Sequence, residues 1–283
     1  MRQSISMQKQ SVLKNIIADK IFFVIIVFLS FIIVIPLILI LSYIFMQGFG
    51  HLRLDLFIFD QRNKGILNAI VGSLLVVGMA TILAVPVGVL VGIYLSEHKK
   101  GKFGNLVRIS VDVLQGVPSI VIGIIAYVWI VVPMRRFSAF AGGLALAIMM
   151  LPVIIKNTEE TLALIPENLK EAAYALGVPY HKVVLGVVLP AGASGVITGV
   201  LVAIARVLGE TAPLLFTAFG SRDLGFDVFK PMETLPPLIY KYATSPVEEW
   251  VNIAWAASFI LVFMILILNL LTKVATKKWK VKL

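Results

Sequence analysis

The sequence predicts an all-α integral membrane protein with six transmembrane helices, and three observations predict it. The chain is 59% hydrophobic with a mean hydropathy of +0.99, far from the composition of a soluble domain. Its apolar residues gather into six runs, each close to the length of about 20 residues that crosses a bilayer. Polar or basic connections separate those runs. The pattern overrides the ordinary division of 283 residues into one or two soluble domains.

Residues 1–20 are polar and basic, with Arg2, Lys9, Lys14 and Lys20. The apolar run 21–46 is longer than the roughly 7–15 residues of a signal-peptide core and has no small-residue cleavage site, so it reads as a retained first span. A mixed-charge connection, 47–65, leads to a second run at 66–95. The basic connection 96–108 precedes a third span at about 113–132. Arg135 and Arg136 mark a short turn before the fourth span, about 139–155. The polar segment 156–182 leads to a fifth span at about 193–216, and a second long connection, 219–249, to a sixth at 251–272. Residues 273–283 form a basic tail. Five spans between 66 and 272 thus make a core, preceded by one further helix.

Six spans put both termini on one side. That side collects sixteen Lys/Arg residues against eight on the other. Lys and Arg accumulate on the cytoplasmic face, so the termini and segment 156–182 are expected there. The net charge of +10 is thereby explained by topology without nucleic acid. The chain has no cysteine, which excludes a disulfide framework, a thiolate nucleophile and a thiolate-ligated metal. His51, His98 and His181 all fall in connections, unpaired at ligand spacing, so no metal site is expected.

Within 156–190, Pro166 suits the start of a helix and Gly177 the left-handed residue after its end. Leu169, Ala172, Ala173 and Leu176 fall at i, i+3, i+4 and i+7 and form one apolar stripe. Glu167, Asn168, Lys170 and Glu171 occupy the opposite face. Small alanines on such a stripe would let the helix enter a groove of another protein. A solvated linker helix is the plainer alternative.

The fifth span carries Arg206 and Glu210, four residues apart and expected on one helical face. Arg206 lies about 24 Å along a helix from Pro190, past the middle of the bilayer core. A charge at mid-depth costs about 2.5–3.5 kcal/mol on insertion scales. The pair could lock helix packing, or Arg206 could offer its planar fork of donors to an oxyanion. Pro190, Gly209 and Pro213 are candidate hinges that would loosen this helix.

Glu171-Ala-Ala, then Gly177, Val187 and Leu189-Pro190 resemble the signature loop of ABC-importer permeases. Leu114-Gln-Gly-Val-Pro-Ser119, Met150-Leu-Pro-Val-Ile-Ile-Lys-Asn-Thr-Glu-Glu160 and Ala205-Arg-Val-Leu-Gly-Glu-Thr-Ala-Pro-Leu-Leu215 resemble the phosphate ABC-importer permeases. Leu235-Pro-Pro-Leu-Ile-Tyr240 and Ala254-Trp-Ala-Ala257 are similar to their PstA-type subunits. The resemblance runs from about 66 to 271. It implies the six-helix, MetI-like (type I importer) permease fold in the bacterial or archaeal inner membrane. It also implies a second, homologous permease subunit, two copies of an ABC ATPase and an extracytoplasmic phosphate-binding protein. Docking on the ATPase would fall to Glu171, Ala172, Ala173, Gly177, Leu169 and Leu176. The substrate pathway would include Arg206, Glu210, Thr211 and Lys156. Lys156 stands where the family pattern has arginine, which keeps the charge and loses the fork.

No G-x-x-x-x-G-K-[ST] phosphate loop is present, so ATP and Mg are expected on a separate polypeptide and no cofactor on this one. The expected function is phosphate import by alternating access, without enzymatic activity of this chain's own. A permease for sulfate, molybdate or phosphonate is the alternative, since a guanidinium alone does not choose among oxyanions. A membrane enzyme lacks paired catalytic groups here, and a channel or secondary transporter would leave the Glu-Ala-Ala segment unexplained.

Overall fold

A computed structural model describes residues 2–98 and 101–278, with side chains for 19–98, 101–271, 273 and 274. The predicted tail residues Lys280 and Lys282 lie outside the described residues. The architecture is all-helical: α1 (Arg2–Gly50), α2 (Asp55–Ile58), α3 (Leu67–Glu97), α4 (Lys102–Gly116), α5 (Ser119–Ala126) and α6 (Val132–Met134). Then follow α7 (Ala139–Ala163), α8 (Glu167–Ala175), α9 (Tyr180–Val183), α10 (Leu189–Leu208), α11 (Ala212–Thr217), α12 (Leu235–Ala243) and α13 (Glu248–Lys278).

Among the described residues five helical stretches are long and apolar enough to cross a membrane, and a sharply bent pair makes a sixth when counted as one span. Helix α1 is apolar all round and exposes nearly every described side chain, as a lipid-facing span does. It touches the bundle at its far end, where Tyr43 meets Trp255 edge-on (5.1 Å) and Phe45 meets Phe259 (5.5 Å) on α13. It begins at Arg2, so the expected polar segment 1–20 is helical and continuous with the first span from its second residue on.

The core lies between α3, α5, α7, α10 and α11, around Val76, Ala80, Leu146, Met150, Ile154, Ala203 and Leu214. Small residues let these helices close on one another. Gly88 and Gly92 of α3 lie against Ile154 and Thr158 of α7, and Gly192, Gly195 and Gly199 of α10 lie against Leu162, Thr161 and Asn157. A Cβ at any of the five would collide, so the glycines set the helix separation.

The expected third span, 113–132, is corrected: α4 and the stretch Ser119–Met134 meet at 102°. Val117 precedes Pro118, which disfavours the helical region for it, and it is extended at φ −70°, ψ 128°. The fourth span runs on to Ala163, so Lys156 lies inside a helix rather than in a connection. The fifth is helical from Tyr180, earlier than expected, and stops at Leu208.

Two wide π turns, Tyr127–Val131 and Val184–Val188, each end just before a Leu/Val-Pro step. Pro133 and Pro190 have no N–H for the carbonyl four residues back. The turn widens, and Val132 and Leu189 donate instead to Tyr127 and Val184, five residues back. Pro190 is thus accommodated by a π turn inside one continuous helical run.

At the other end of the bundle, α11 and the connection after it close over the start of α7. Ser138, Ala139 and Phe140 donate their N–H groups to the carbonyls of Thr217 (3.0 Å), Lys230 (3.0 Å) and Val228 (2.8 Å). These bonds satisfy amides that a helix start leaves orphaned. The chain turns there through left-handed Phe219 (φ 59°) and Gly220 (φ 91°).

Candidate functional site

Most of the candidate residues fall in two regions. The first is α8 and its flanks. Pro166 stands one residue before the helix, extended at ψ 137°, rather than at its first position, and Gly177 follows the helix end at φ 73°, as the sequence predicts. The apolar stripe is not one free surface, however. Ala173 is 9% exposed and Leu169 half-buried, packed with Leu162, Ile165, Val183 and Val188, and with Val89 and Ile93 of α3. Ala172 and Leu176 point away, Leu176 being 84% exposed, together with Glu171 and Leu164. The expectation that Ala173 enters a groove of another protein is therefore corrected, because the chain's own core fills that position. Glu171, Ala172 and Leu176 form the outward face.

Lys170 turns the other way. Its Nζ lies 2.5 Å from Oε1 of Glu97, the last residue of α3. An open cleft lined by Glu97, Glu167, Lys170, Glu171 and Tyr174 runs alongside.

The second region is the break after α10. Gly209 donates to Arg206 O (3.3 Å) and Glu210 to Val207 O (3.2 Å), an i−3 bond that ends the α-helical register. Glycine costs a helix about 1 kcal/mol against alanine, and Pro213 starts the next segment at its second position. Arg206 and Glu210 therefore do not share one face of a continuous helix, which corrects the i, i+4 expectation. Among the described residues no ion pair joins them, and the Arg206 guanidinium has no ion-pair or hydrogen-bond partner.

Arg206 follows Thr198 and Val202 in an exposed row at i, i+4 and i+8, while Val196, Gly199, Ala203 and Val207 face the bundle. Glu210 and Thr211 are half-buried beside the break. Pro213 is buried with its backbone against Gly123 of α5.

Lys156 lies elsewhere. It neighbours Asn157, which is level with Gly199, so Arg206 stands about 9 Å further along the bundle axis. The Lys156 Nζ is 2.5 Å from Asp112 Oδ1 on α4, and Arg108 Nε is 2.6 Å from Glu159 Oε1 beside it. Arg108 also donates to Leu95 O (2.7 Å). Sequence reasoning missed Asp112, Glu159 and Glu97, since their partners lie far away in the chain. The only available signal was acidic residues at the ends of apolar runs.

On the connection after α11, Glu233 is 5% exposed and Lys241 binds it at 2.9 Å. Burial pushes its carboxyl above the usual glutamate range, and Lys241 partly offsets this. Asp227 is held below the carboxylate range, chiefly by the Phe229 N–H.

Long apolar helices, bent and broken and packed through glycines, define a multi-pass membrane protein. The chain belongs to the family of binding-protein-dependent transport system inner membrane components, whose pattern matches residues 84–281. It is 42% identical over 222 residues to the phosphate transport system permease protein PstA of Yersinia pestis, covering 78% of this chain and 75% of that one. It is 40% identical over 232 residues to PstA of Haemophilus influenzae, covering 80% and 82%. Among solved structures, the inward-facing methionine ABC transporter MetNI has a similar chain, with a TM-score of 0.65 at 17% identity over 76% of this chain and 96% of that one. That likeness establishes the ABC-importer permease fold.

Proposed function

We propose that this chain is the phosphate-conducting PstA-type permease subunit of an ATP-driven importer. The observation that carries the reading is Arg206: an exposed, unpartnered guanidinium at a helix break, in a chain whose relatives are named phosphate transport permeases. A guanidinium turned to lipid would cost several kcal/mol, so the row Thr198, Val202 and Arg206 faces a second, homologous permease across the solute pathway. Its planar donors suit two oxygens of one phosphate. Glu210, Thr211 and Lys156 line the same route at the break and at a second depth.

The outward face of α8, with Glu171, Ala172 and Leu176, meets the ATPase, of which the complex holds two copies. ATP and Mg bind there, and this chain hydrolyses nothing. The termini and α8 lie on the cytoplasmic side of the inner membrane. An extracytoplasmic phosphate-binding protein delivers the anion to the opposite end. ATP-driven closure displaces α8, the bundle changes which side it opens to, and hydrolysis resets it. The two states must differ in their contacts with the ATPase for nucleotide to shift the balance.

The test is labelled phosphate uptake by the assembled complex in cells without other phosphate systems, with sulfate and molybdate as competitors. Uptake should resist both competitors, fall at least a hundredfold in Arg206→Ala and stay low in Arg206→Lys. Full uptake in Arg206→Ala would return Arg206 to a packing role, and uptake abolished by sulfate or molybdate would replace phosphate as the solute.

A further inference from the structure

Among the described residues, two attachments of helix α8 to the membrane bundle stand out. Leu169 and Ala173 give it a small apolar contact, a half-buried leucine and one methyl group. Such contacts are non-directional, so the helix could slide over its neighbours while keeping them. The second attachment is directional. Lys170 Nζ and Glu97 Oε1 are 2.5 Å apart, and their side chains are only 14% and 10% exposed. Pulling them apart would leave two charges poorly solvated, which is strongly unfavourable.

Glu97 is the C-terminal residue of α3, 73 residues before its partner. Helix α3 in turn has no slack against α7. Gly88 and Gly92 are closed onto Ile154 and Thr158, the residues that bracket Lys156. A push on α8 therefore has a rigid route through Lys170 and Glu97 into α3, and from α3 to the part of α7 that bears Lys156.

We infer that the Lys170–Glu97 ion pair is the strut that carries displacement of α8 into α3, making both residues positioning residues for transport. The inference rests on the proposed function, because it needs α8 to be the segment that a partner ATPase moves. Glu171 next door points outward to that partner, while Lys170 points inward to the span. One turn of helix thus holds both the receiving and the transmitting side chain.

The test is made on the whole reconstituted complex in liposomes, with phosphate uptake and ATP hydrolysis measured in the same sample. Lys170→Met and Glu97→Gln should assemble and hydrolyse ATP at close to the wild-type rate, while phosphate moved per ATP falls at least fivefold. The swap Lys170→Glu with Glu97→Lys should recover at least half of the wild-type ratio. A purely structural pair would change the amount of complex and leave that ratio alone. An unchanged ratio in the single variants, or a swap no better than they are, overturns the strut. If the single variants fail to assemble, Lys170→Arg and Glu97→Asp decide, because each keeps the charge pair and changes its length. A lowered ratio in the assembled complex supports the strut, and wild-type ratios in both overturn it. Wild-type complex that hydrolyses ATP without moving phosphate would instead overturn the phosphate reading.

Discussion

Lys156 of α7 and Asp112 of α4 are held 2.5 Å apart, with Arg108 and Glu159 forming a second rung between the same helices. The spacing of Arg108 and Asp112 is one helical turn, as is that of Lys156 and Glu159, so the rungs lie side by side. They fix α4 against α7 at the place where the chain turns by 102° into α5. Lys156 and Asp112 are 38% and 57% exposed, so the outer rung contributes at most about 1 kcal/mol. A contact this weak can open during transport at little cost.

Asp112→Asn should accordingly lower the unfolding free energy by less than about 1 kcal/mol. Lys156→Arg should retain uptake, since the charge and the reach to Asp112 remain, whereas Lys156→Ala should reduce it at least tenfold. Uptake by Lys156→Ala at the wild-type rate would remove this residue from the pathway.

The cysteine-free sequence makes the outward face of α8 easy to map. Single cysteines at Ala172 and Leu176 should crosslink to an ATPase subunit in the assembled complex, and one at Ala173 should not. Efficient crosslinking at Ala173 alone would mean that α8 leaves the chain's own core when the ATPase docks.

Much of this architecture was legible in apolar run lengths, and the failures have local causes. The run 113–132 hides a sharp bend because Val117-Pro118 interrupts a helix without interrupting hydrophobicity. Counting four residues from Arg206 to Glu210 assumed a helix that Gly209 ends. The stripe through Leu169, Ala172, Ala173 and Leu176 was real as periodicity, but α8 ends at Ala175, leaving Leu176 beyond the surface that buries Ala173. Ion pairs such as Lys170–Glu97 depend on packing between distant segments, which one sequence does not encode in any local pattern.

Helix closeness should be testable at a single atom. Gly199 lies against Asn157, and a methyl group there must push α10 off α7. Gly199→Ala should destabilise the purified chain by about 1–3 kcal/mol, seen as a lower Tm. Gly78, where an added Cβ meets nothing within 4 Å, is the control. Gly78→Ala should leave Tm unchanged or slightly raised, because alanine is the better helix former.

The connection that closes over α7 should respond to pH through Glu233. Its pKa is raised in the folded chain because burial outweighs the attraction of Lys241. A raised pKa means that the folded chain holds the proton more tightly than the unfolded one. Its contribution to stability is then complete below the ordinary glutamate pKa and is lost as pH rises through the higher folded value. Tm should therefore fall over that window, beyond whatever other groups contribute. Glu233→Gln keeps a neutral polar group of the same shape and should flatten this part of the profile. Lys241→Met removes the offsetting charge, raises the Glu233 pKa further and should carry the loss to higher pH. An identical Tm profile in wild type and Glu233→Gln would show that Lys241 compensates the burial of the carboxylate in full.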